Sequence, residues 1–249
     1  MKGDIERAAA QISRARRGIA LTGAGISVES GIPDFRSAGG LWSKFDPMEY
    51  ATISAFRANP EKVWEMLREM ESLVVNAKPN PAHYAMAKLE QLGLLKCIIT
   101  QNIDNLHQLA GSKDVIEYHG NSSTLSCIRC GRQYTREEKQ SEHTPRCDCQ
   151  MVLKPDVVFF GEPIPVEAMQ RSFKMAASSD LLLIVGTSAV VSPANTIPGV
   201  AKQAGATIIE VNLEPTHLTD SITDIFLQGK AGEILPALVA KVEEILVSR

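Results

Sequence analysis

The chain repeats one local pattern, a short uninterrupted apolar run that stops at glycine or a polar cluster. Gly18-Ile19-Ala20-Leu21-Thr22, Lys96-Cys97-Ile98-Ile99-Thr100, Val115-Ile116-Glu117-Tyr118, Leu181-Leu182-Leu183-Ile184-Val185 and Thr207-Ile208-Ile209-Glu210-Val211-Asn212 are such runs. Strands that are apolar on both faces must be covered on both faces, which is the condition of a parallel sheet between layers of helices. Helical periodicity fills the intervals. Ile5, Ala8, Ala9 and Ile12 follow the i, i+3, i+4, i+7 spacing, and Leu235, Leu238, Val239, Val242, Ile245 and Leu246 share one face of a closing helix. Asn80 and Pro81 suit a helix start and Gly93 suits its end. The fold class expected is α/β.

Parallel sheets of this kind bind ligands beyond the carboxyl ends of their strands. Here those ends carry Gly23-Ala24-Gly25, Gln101-Asn102-Ile103-Asp104, His119-Gly120, Gly186-Thr187-Ser188 and Asn212. Two glycines one residue apart let backbone approach a bulky anionic ligand where a Cβ would collide. As a dinucleotide fingerprint the stretch is incomplete, because Val28 stands where a third small residue is wanted. The segment that follows, Ser30-Gly31-Ile32-Pro33-Asp34-Phe35-Arg36, is broken by Gly31 and Pro33 and reads as a loop over a ligand, with Arg36 available for phosphate. The amides of Gln101 and Asn102 and the carboxylate of Asp104 suit a carboxamide and ribose hydroxyls, or equally a capping turn. Thr187 and Ser188 suit phosphate or ribose, or a simple turn. His119 at a binding edge suits a general base, although a lone histidine is more often a satisfied core residue.

Two stretches leave the strand–helix alternation. From 37 to 80 the pattern is helical and irregular, with an apolar stripe of Val63, Trp64, Leu67, Met70, Leu73 and Val74. From 121 to 156 apolar periodicity is weak, and four of the five cysteines cluster there. Cys127-x2-Cys130, sixteen residues, then Cys147-x-Cys149 resembles a zinc ribbon, with two thiolate pairs closing a tetrahedron around a structural metal. The second pair is closer than ribbons usually have, so His143 or Asp148 could replace one cysteine, and four free thiols are the plain alternative.

Composition excludes several classes. A net charge of −3 gives no electrostatic case for nucleic acid as the main partner. No apolar run approaches the roughly 20 residues of a membrane span. The opening Met1-Lys2-Gly3-Asp4-Ile5-Glu6-Arg7 has no apolar signal core, so a cytoplasmic protein is expected.

Taken in order, Gly23-Ala24-Gly25-Ile26-Ser27 through Gly31-Ile32-Pro33-Asp34-Phe35-Arg36, Thr100-Gln101-Asn102-Ile103-Asp104, His119-Gly120, the cysteine module, Phe160-Gly161-Glu162, Gly186-Thr187-Ser188 and Asn212 resemble the sirtuin family in its prokaryotic form. The likeness runs from about residue 5 to residue 245. It implies an NAD-dependent protein-lysine deacetylase. The implied Rossmann-like NAD-binding domain comprises residues 1–36, 81–119 and 157–249. A helical module, 37–80, and a zinc-ribbon module, 120–156, would form the small domain.

The resemblance also implies roles. The acetyl oxygen would attack C1′ of the nicotinamide ribose as nicotinamide leaves. His119 would then deprotonate a ribose hydroxyl that attacks the resulting alkylamidate carbon, and water would release O-acetyl-ADP-ribose and free lysine. Asn102 and Gln101 would orient ribose and water, and Asp104, beside Ile103, would bind the carboxamide. Gly23, Ala24, Gly25, Ser27, Asp34, Phe35 and Arg36 would hold the nicotinamide and phosphate end, with Gly186, Thr187, Ser188, Asn212 and Ala231 further along the cofactor. Val158, Phe160, Gly161 and Glu162 on one side and Val191 on the other would flank an acetylated-lysine peptide adding as a strand. Cys127, Cys130, Cys147 and Cys149 would hold one structural zinc, and a monomer is expected.

Alternatives are another NAD(P) enzyme, whether oxidoreductase or mono-ADP-ribosyltransferase, a deacylase for longer neutral acyl groups, and a non-catalytic zinc-ribbon module. Sirtuins that remove succinyl or malonyl groups carry Tyr and Arg three residues apart in the helical insertion. Aligned on Trp64, those positions are Leu67 and Met70, which predicts neutral acyl groups as substrates.

Overall fold

The computed structural model describes residues 2–35, 39–139 and 142–248. Six parallel strands form the main sheet: β1 (Gly18–Thr22), β2 (Leu95–Thr100), β3 (Val115–Glu117), β7 (Leu181–Val185), β8 (Thr207–Asn212) and β9 (Ile225–Gln228). Their order is β3-β2-β1-β7-β8-β9. The chain therefore builds outward from β1 in one direction, returns, and builds outward from β7 in the other. The switch lies between β1 and β7, the place where such sheets open a crevice for ligand.

Residues alternate between the two faces of the sheet. Ala20 on β1 joins a core shared with α1 (Lys2–Ile12), α5 (Pro81–Gln91) and α9 (Ala231–Val247), where Ala9, Ile12, Met86, Leu235 and Leu238 pack. Ile19 and Leu21 face the opposite core with α7 (Val166–Ser178) and α8 (Ile197–Gln203). Both faces of β1 are covered, and all five of its residues are buried.

The second sheet is antiparallel, with order β5-β4-β6, from β4 (Gly120–Cys127), β5 (Gln133–Thr135) and β6 (Leu153–Val157). It packs on α2 (Pro47–Tyr50), α3 (Ile53–Ala58) and α4 (Pro60–Asn76), with Phe56, Trp64, Leu125, Leu153 and Phe159 in one core. Trp64 Nε1 donates to the Leu153 carbonyl at 2.9 Å. Glu71 on α4 binds Arg68 at 2.9 Å and Arg136 beyond β5 at 2.6 Å.

Three local readings change. The stretch Ala24–Ser30 is a short 3₁₀ helix, with Gly31 at φ +87° ending it. The region after His119 holds the eight-residue strand β4. Its sequence hides this because only Leu125 and Cys127 of that strand are buried, so no period of two is visible. The apolar run at 157–160 lies outside the main sheet: Val157 ends β6, and Phe160 bridges to Thr52 beside the helical module.

Candidate active site and metal centre

The glycines after β1 meet the β7 loop at the switch point. Gly25 N–H donates to the Gly186 carbonyl at 2.8 Å and Gly23 N–H to the Val185 carbonyl at 3.1 Å. A Cβ on Gly25 would stand 2.7 Å from Gly186 Cα, and one on Gly23 would stand 2.8 Å from Thr187 Cβ. The two loops cross so closely that protein backbone by itself demands glycine there. This close crossing is a second reason for glycine beside the approach of a ligand argued from sequence.

Thr187 joins three strand ends. Its hydroxyl accepts from Gln101 Nε2 at 3.0 Å and its carbonyl accepts from Asn212 Nδ2 at 3.0 Å. These bonds fix both amide nitrogens on Thr187; Gln101 Oε1 is left as an acceptor, while Asn212 Oδ1 already accepts from Leu213 N–H at 3.1 Å. Ser188 is exposed beside them. Glu210, wholly buried on β8, accepts from the hydroxyls of Thr216 (2.7 Å), Thr219 (2.8 Å) and Thr223 (2.9 Å), which fastens the loop after Asn212.

Behind β1 and β2 a directional network fixes the polar side chains. Asn80 N–H donates to His83 Nδ1 at 3.3 Å, so His83 Nε2 carries the proton toward Ser27 Oγ, 3.4 Å away. The Ser27 hydroxyl then donates to Asp104 Oδ2 at 2.7 Å, and Leu106 N–H donates to Asp104 Oδ1 at 3.0 Å. Asn102 Nδ2 donates to the Gly23 carbonyl at 3.2 Å and to Ser27 Oγ at 3.1 Å. Both amide protons of Asn102 are spent, and its Oδ1 is left to accept from a ligand or water. Ser27 and Asp104 are buried, while Ala24, Gln101, Asn102 and Ile103 are half-buried.

The sequence reading missed His83, which is wholly buried and makes an edge-on ring contact with His107, centroids 5.0 Å apart. The one available signal was the Asn80-x-x-His83 spacing, a capping box with histidine in the place of glutamate. Burial pushes His83 down to about 4 and His107 to about 3, so both are neutral.

His119 follows β3. Its Nδ1 lies 3.1 Å from the Gln101 carbonyl, which can only accept, so Nδ1 is protonated and Nε2 is the bare nitrogen. Burial holds the ring below its ordinary pKa, against the opposing effect of that hydrogen bond. The His119 carbonyl accepts from Val158 N–H at 2.8 Å, which places the 158–162 segment directly beside the histidine. Phe160 and Gly161 are exposed there, as is Val190, with Val191 half-buried.

Leu41 N–H donates to the Asp34 carbonyl at 3.1 Å and Trp42 N–H to the Phe35 carbonyl at 3.0 Å. Trp42 stacks between Phe35 (5.1 Å) and Phe160 (6.3 Å). Phe35 is thus brought to the same side as the 158–162 segment, whereas Arg36 lies outside the described residues. Ala231, at the start of α9, adjoins Gly232, whose N–H donates to Glu29 at 2.7 Å.

The four clustered cysteines converge. All four Sγ atoms lie within 4.8 Å of one another, with Cys127–Cys149 at 3.5 Å, Cys130–Cys147 at 3.5 Å and Cys130–Cys149 at 3.8 Å. A zinc–sulfur bond of about 2.3 Å in a tetrahedron implies a sulfur–sulfur edge of about 3.8 Å, so the set fits zinc. Among the described residues neither His143 nor Asp148 joins the group; Asp148 pairs with Arg132. The Tyr134 hydroxyl, donating to Cys147 Sγ across 3.3 Å, holds that thiol down at about 6.

Comparison with known proteins agrees with this geometry. The Sir2 family model matches residues 23–193. An NAD-dependent protein deacylase 2 of Pyrobaculum aerophilum is 47% identical, with 96% of each chain covered. An NAD-dependent protein deacylase of Pyrococcus abyssi is 46% identical over 97% of this chain and 99% of its own. Among solved structures, a Sir2 homologue mutant with ADP-ribose superposes with a TM-score of 0.93 at 43% identity, covering 98% of both chains. A Sir2 homologue–NAD complex gives 0.91 at 44% identity over 97% of this chain and 94% of its own. A Sir2 protein bound to a myristoylated histone peptide gives 0.86 at 39% identity, with both chains fully covered. With the crossed glycine loops, the neutral His119 and the tetracysteine cluster in one chain, and near-complete relatives on either side of it, the protein belongs to the Sir2 family.

Proposed function

We infer that this chain is an NAD-dependent protein-lysine deacylase. The observation that carries the reading is His119, a neutral imidazole with a bare Nε2 at the carboxyl end of β3, bonded to the carbonyl of Gln101, the neighbour of Asn102 in the Asn102–Ser27–Asp104 network. The relatives named as NAD-dependent protein deacylases support it.

NAD, when bound, supplies a ribose carbon bearing a nicotinamide leaving group and the hydroxyls that receive the acyl group. Gly23, Ala24, Gly25 and Ser27, with Asp34, Phe35 and Arg36, would hold its nicotinamide and phosphate end. Gly186, Thr187, Ser188, Asn212 and Ala231 would hold the remainder. Asp104, beside Ile103, keeps unused acceptor capacity for a carboxamide, and the oxygens of Gln101 and Asn102 would accept from ribose or water. His119 Nε2 would take the proton of a ribose hydroxyl, and burial keeps it unprotonated for that task.

The acyl-lysine peptide would add as a strand between 158–162 and 190–192, with Val158, Phe160, Gly161, Glu162 and Val191 as its walls. A zinc held by Cys127, Cys130, Cys147 and Cys149 would be structural, since four thiolates leave no open position. Residues 1–36, 81–119 and 157–249 would act as the NAD-binding domain, with 37–80 and 120–156 as the smaller one. The active form would be a cytoplasmic monomer.

The acyl group would be acetyl or a longer neutral chain. Arg68, the cation nearest the Leu67 and Met70 positions in sequence, is occupied elsewhere: it donates to the His143 carbonyl at 2.7 Å, pairs with Glu71 and lies over Trp64 at 5.3 Å. The neighbour with a myristoylated peptide favours the neutral reading. Nicotinamide release from NAD with and without an acetylated peptide tests the function. Release that requires the peptide and tracks its deacylation supports it; release indifferent to the peptide would favour an ADP-ribosyltransferase.

A further inference from the structure

Lys154 is a buried lysine, 8% exposed, that nothing in the proposed chemistry uses. Its ammonium has three protons and three partners: the Pro155 carbonyl at 3.0 Å, the Val157 carbonyl at 2.7 Å and Glu162 Oε2 at 2.9 Å. The same Glu162 oxygen accepts from Phe159 N–H at 2.9 Å. The aliphatic and charged ends also lie over the Phe159 ring, with Nζ 4.6 Å from its centroid.

Every one of these polar partners falls between residues 155 and 162. The pair braces a single segment against itself and joins no distant element. The segment needs bracing, because most of it is irregular: β6 stops at Val157, Pro155 has no N–H, and Gly161 turns at φ +86°. Beyond the β6–β4 ladder, which sets Val157 opposite Gly120, its backbone attachments outside are Val158 N–H to His119 (2.8 Å), Phe160 N–H to Ala51 (2.9 Å) and Ile53 N–H to Phe160 (3.0 Å), while Phe159 and Phe160 pack on Phe56 and Trp42. The exposed Gly161 N–H has no backbone partner among the described residues.

We propose that the Lys154–Glu162 pair is a positioning device for the acyl-peptide substrate, holding residues 157–162 as a preformed edge on which the peptide backbone adds. The proposal rests on the reading that this segment is one wall of the peptide site. A preformed edge spares the peptide the cost of ordering it. Glu162 thus acts through Lys154 and Phe159 N–H rather than by meeting the peptide with its carboxylate. The pair touches none of the residues assigned to NAD, so its loss should weigh on the peptide far more than on NAD.

The test uses zinc-loaded Lys154→Met, which keeps chain length and removes the charge and all three donors. Its KM for an acetylated peptide should rise about tenfold or more, the scale of a lost charged hydrogen-bond set plus restored loop entropy, while KM for NAD stays within about twofold of wild type. Glu162→Gln keeps an acceptor for both partners and should show a clearly smaller rise. If Lys154→Met does not fold, by zinc content and thermal melting, Glu162→Ala carries the test on the same criterion. An unchanged peptide KM, or equal rises for peptide and NAD, would overturn the proposal. A peptide N-methylated beside its acetyl-lysine separates the two readings. If wild type turns it over as well as the parent peptide, strand addition itself is wrong. If that peptide fails while Lys154→Met binds the parent normally, the positioning role alone is wrong.

Discussion

His119 Nδ1 is 3.1 Å from the carbonyl oxygen of Gln101, and this contact decides which ring nitrogen can act as a base. The first expectation follows from it. His119→Ala should lower deacylation by about a hundredfold to ten-thousandfold, the range of a lost general base, in a protein that still binds acetyl-peptide. Asn102→Ala should fall comparably, since its Oδ1 is the acceptor left at the site. Steady-state turnover with peptide binding measured alongside is the check, and near-normal turnover in the histidine variant would end its assignment.

The pH profile is a separate expectation. Burial depresses the His119 pKa below its ordinary 6.5, so the base remains available as pH falls through that value. The acid limb of kcat/KM should therefore lie below pH 6.5. A limb centred above it would contradict a buried His119 as the titrating group.

Stability should also depend on pH through the two inner histidines. His83 and His107 titrate near 4 and 3 when folded, because burial penalises the cation, against about 6.5 when unfolded. The unfolded chain thus binds protons first. The stabilisation is fully present above about pH 6.5 and is lost as pH falls from there toward 4 and 3, at about 1.4 kcal/mol per pH unit for each histidine. Denaturant midpoints across pH 4–8 measure this. His107 Nε2 lies 2.9 Å from the Thr22 hydroxyl, which itself donates to Thr100, so His107→Gln, whose amide can still donate there, should reduce the slope by about one proton.

The metal centre yields a ligand-by-ligand expectation. Purified protein should hold one zinc per chain, and Cys149→Ala should lose it while His143→Ala keeps it, because the four sulfurs already close the tetrahedron. Cys127→Ala should unfold the β4–β5–β6 sheet, since metal binding contributes folding free energy. Metal analysis and far-UV dichroism report both. A zinc-free wild type, or zinc loss in His143→Ala, would contradict the site.

Acyl preference is the fifth expectation. A succinyl carboxylate beside Leu67 and Met70 would be buried without a partner, at a cost of several kcal/mol as a rough scale. kcat/KM for succinyl-lysine should fall well below that for acetyl-lysine on one peptide. Succinyl turnover equal to or faster than acetyl would overturn the idea.

The main sheet was legible because its inner strands β1, β2, β7 and β8 are buried on both faces, and each of those runs ends where the sequence breaks into glycine or amide. The polar strand ends therefore announced the site. Strand β4 was not legible: its sheet is half wet, and six of its eight side chains are not buried. His83 and Lys154 were missed for a different reason. Each is polar at a position whose burial is decided by distant chain, His83 by Ser27 and His107, and Lys154 by the return of residues 157–162. The backbone reason for Gly23 and Gly25 was likewise not legible, because the crossing β7 loop lies more than 160 residues downstream.

Mass spectrometry of the products from NAD and an acetylated peptide tests the central claim most directly. O-acetyl-ADP-ribose and nicotinamide should form one for one with deacetylated peptide, and His119→Ala should lower O-acetyl-ADP-ribose and deacetylated peptide by about a hundredfold or more. Free acetate with NAD left intact, or ADP-ribose attached to a peptide that keeps its acetyl group, would contradict it.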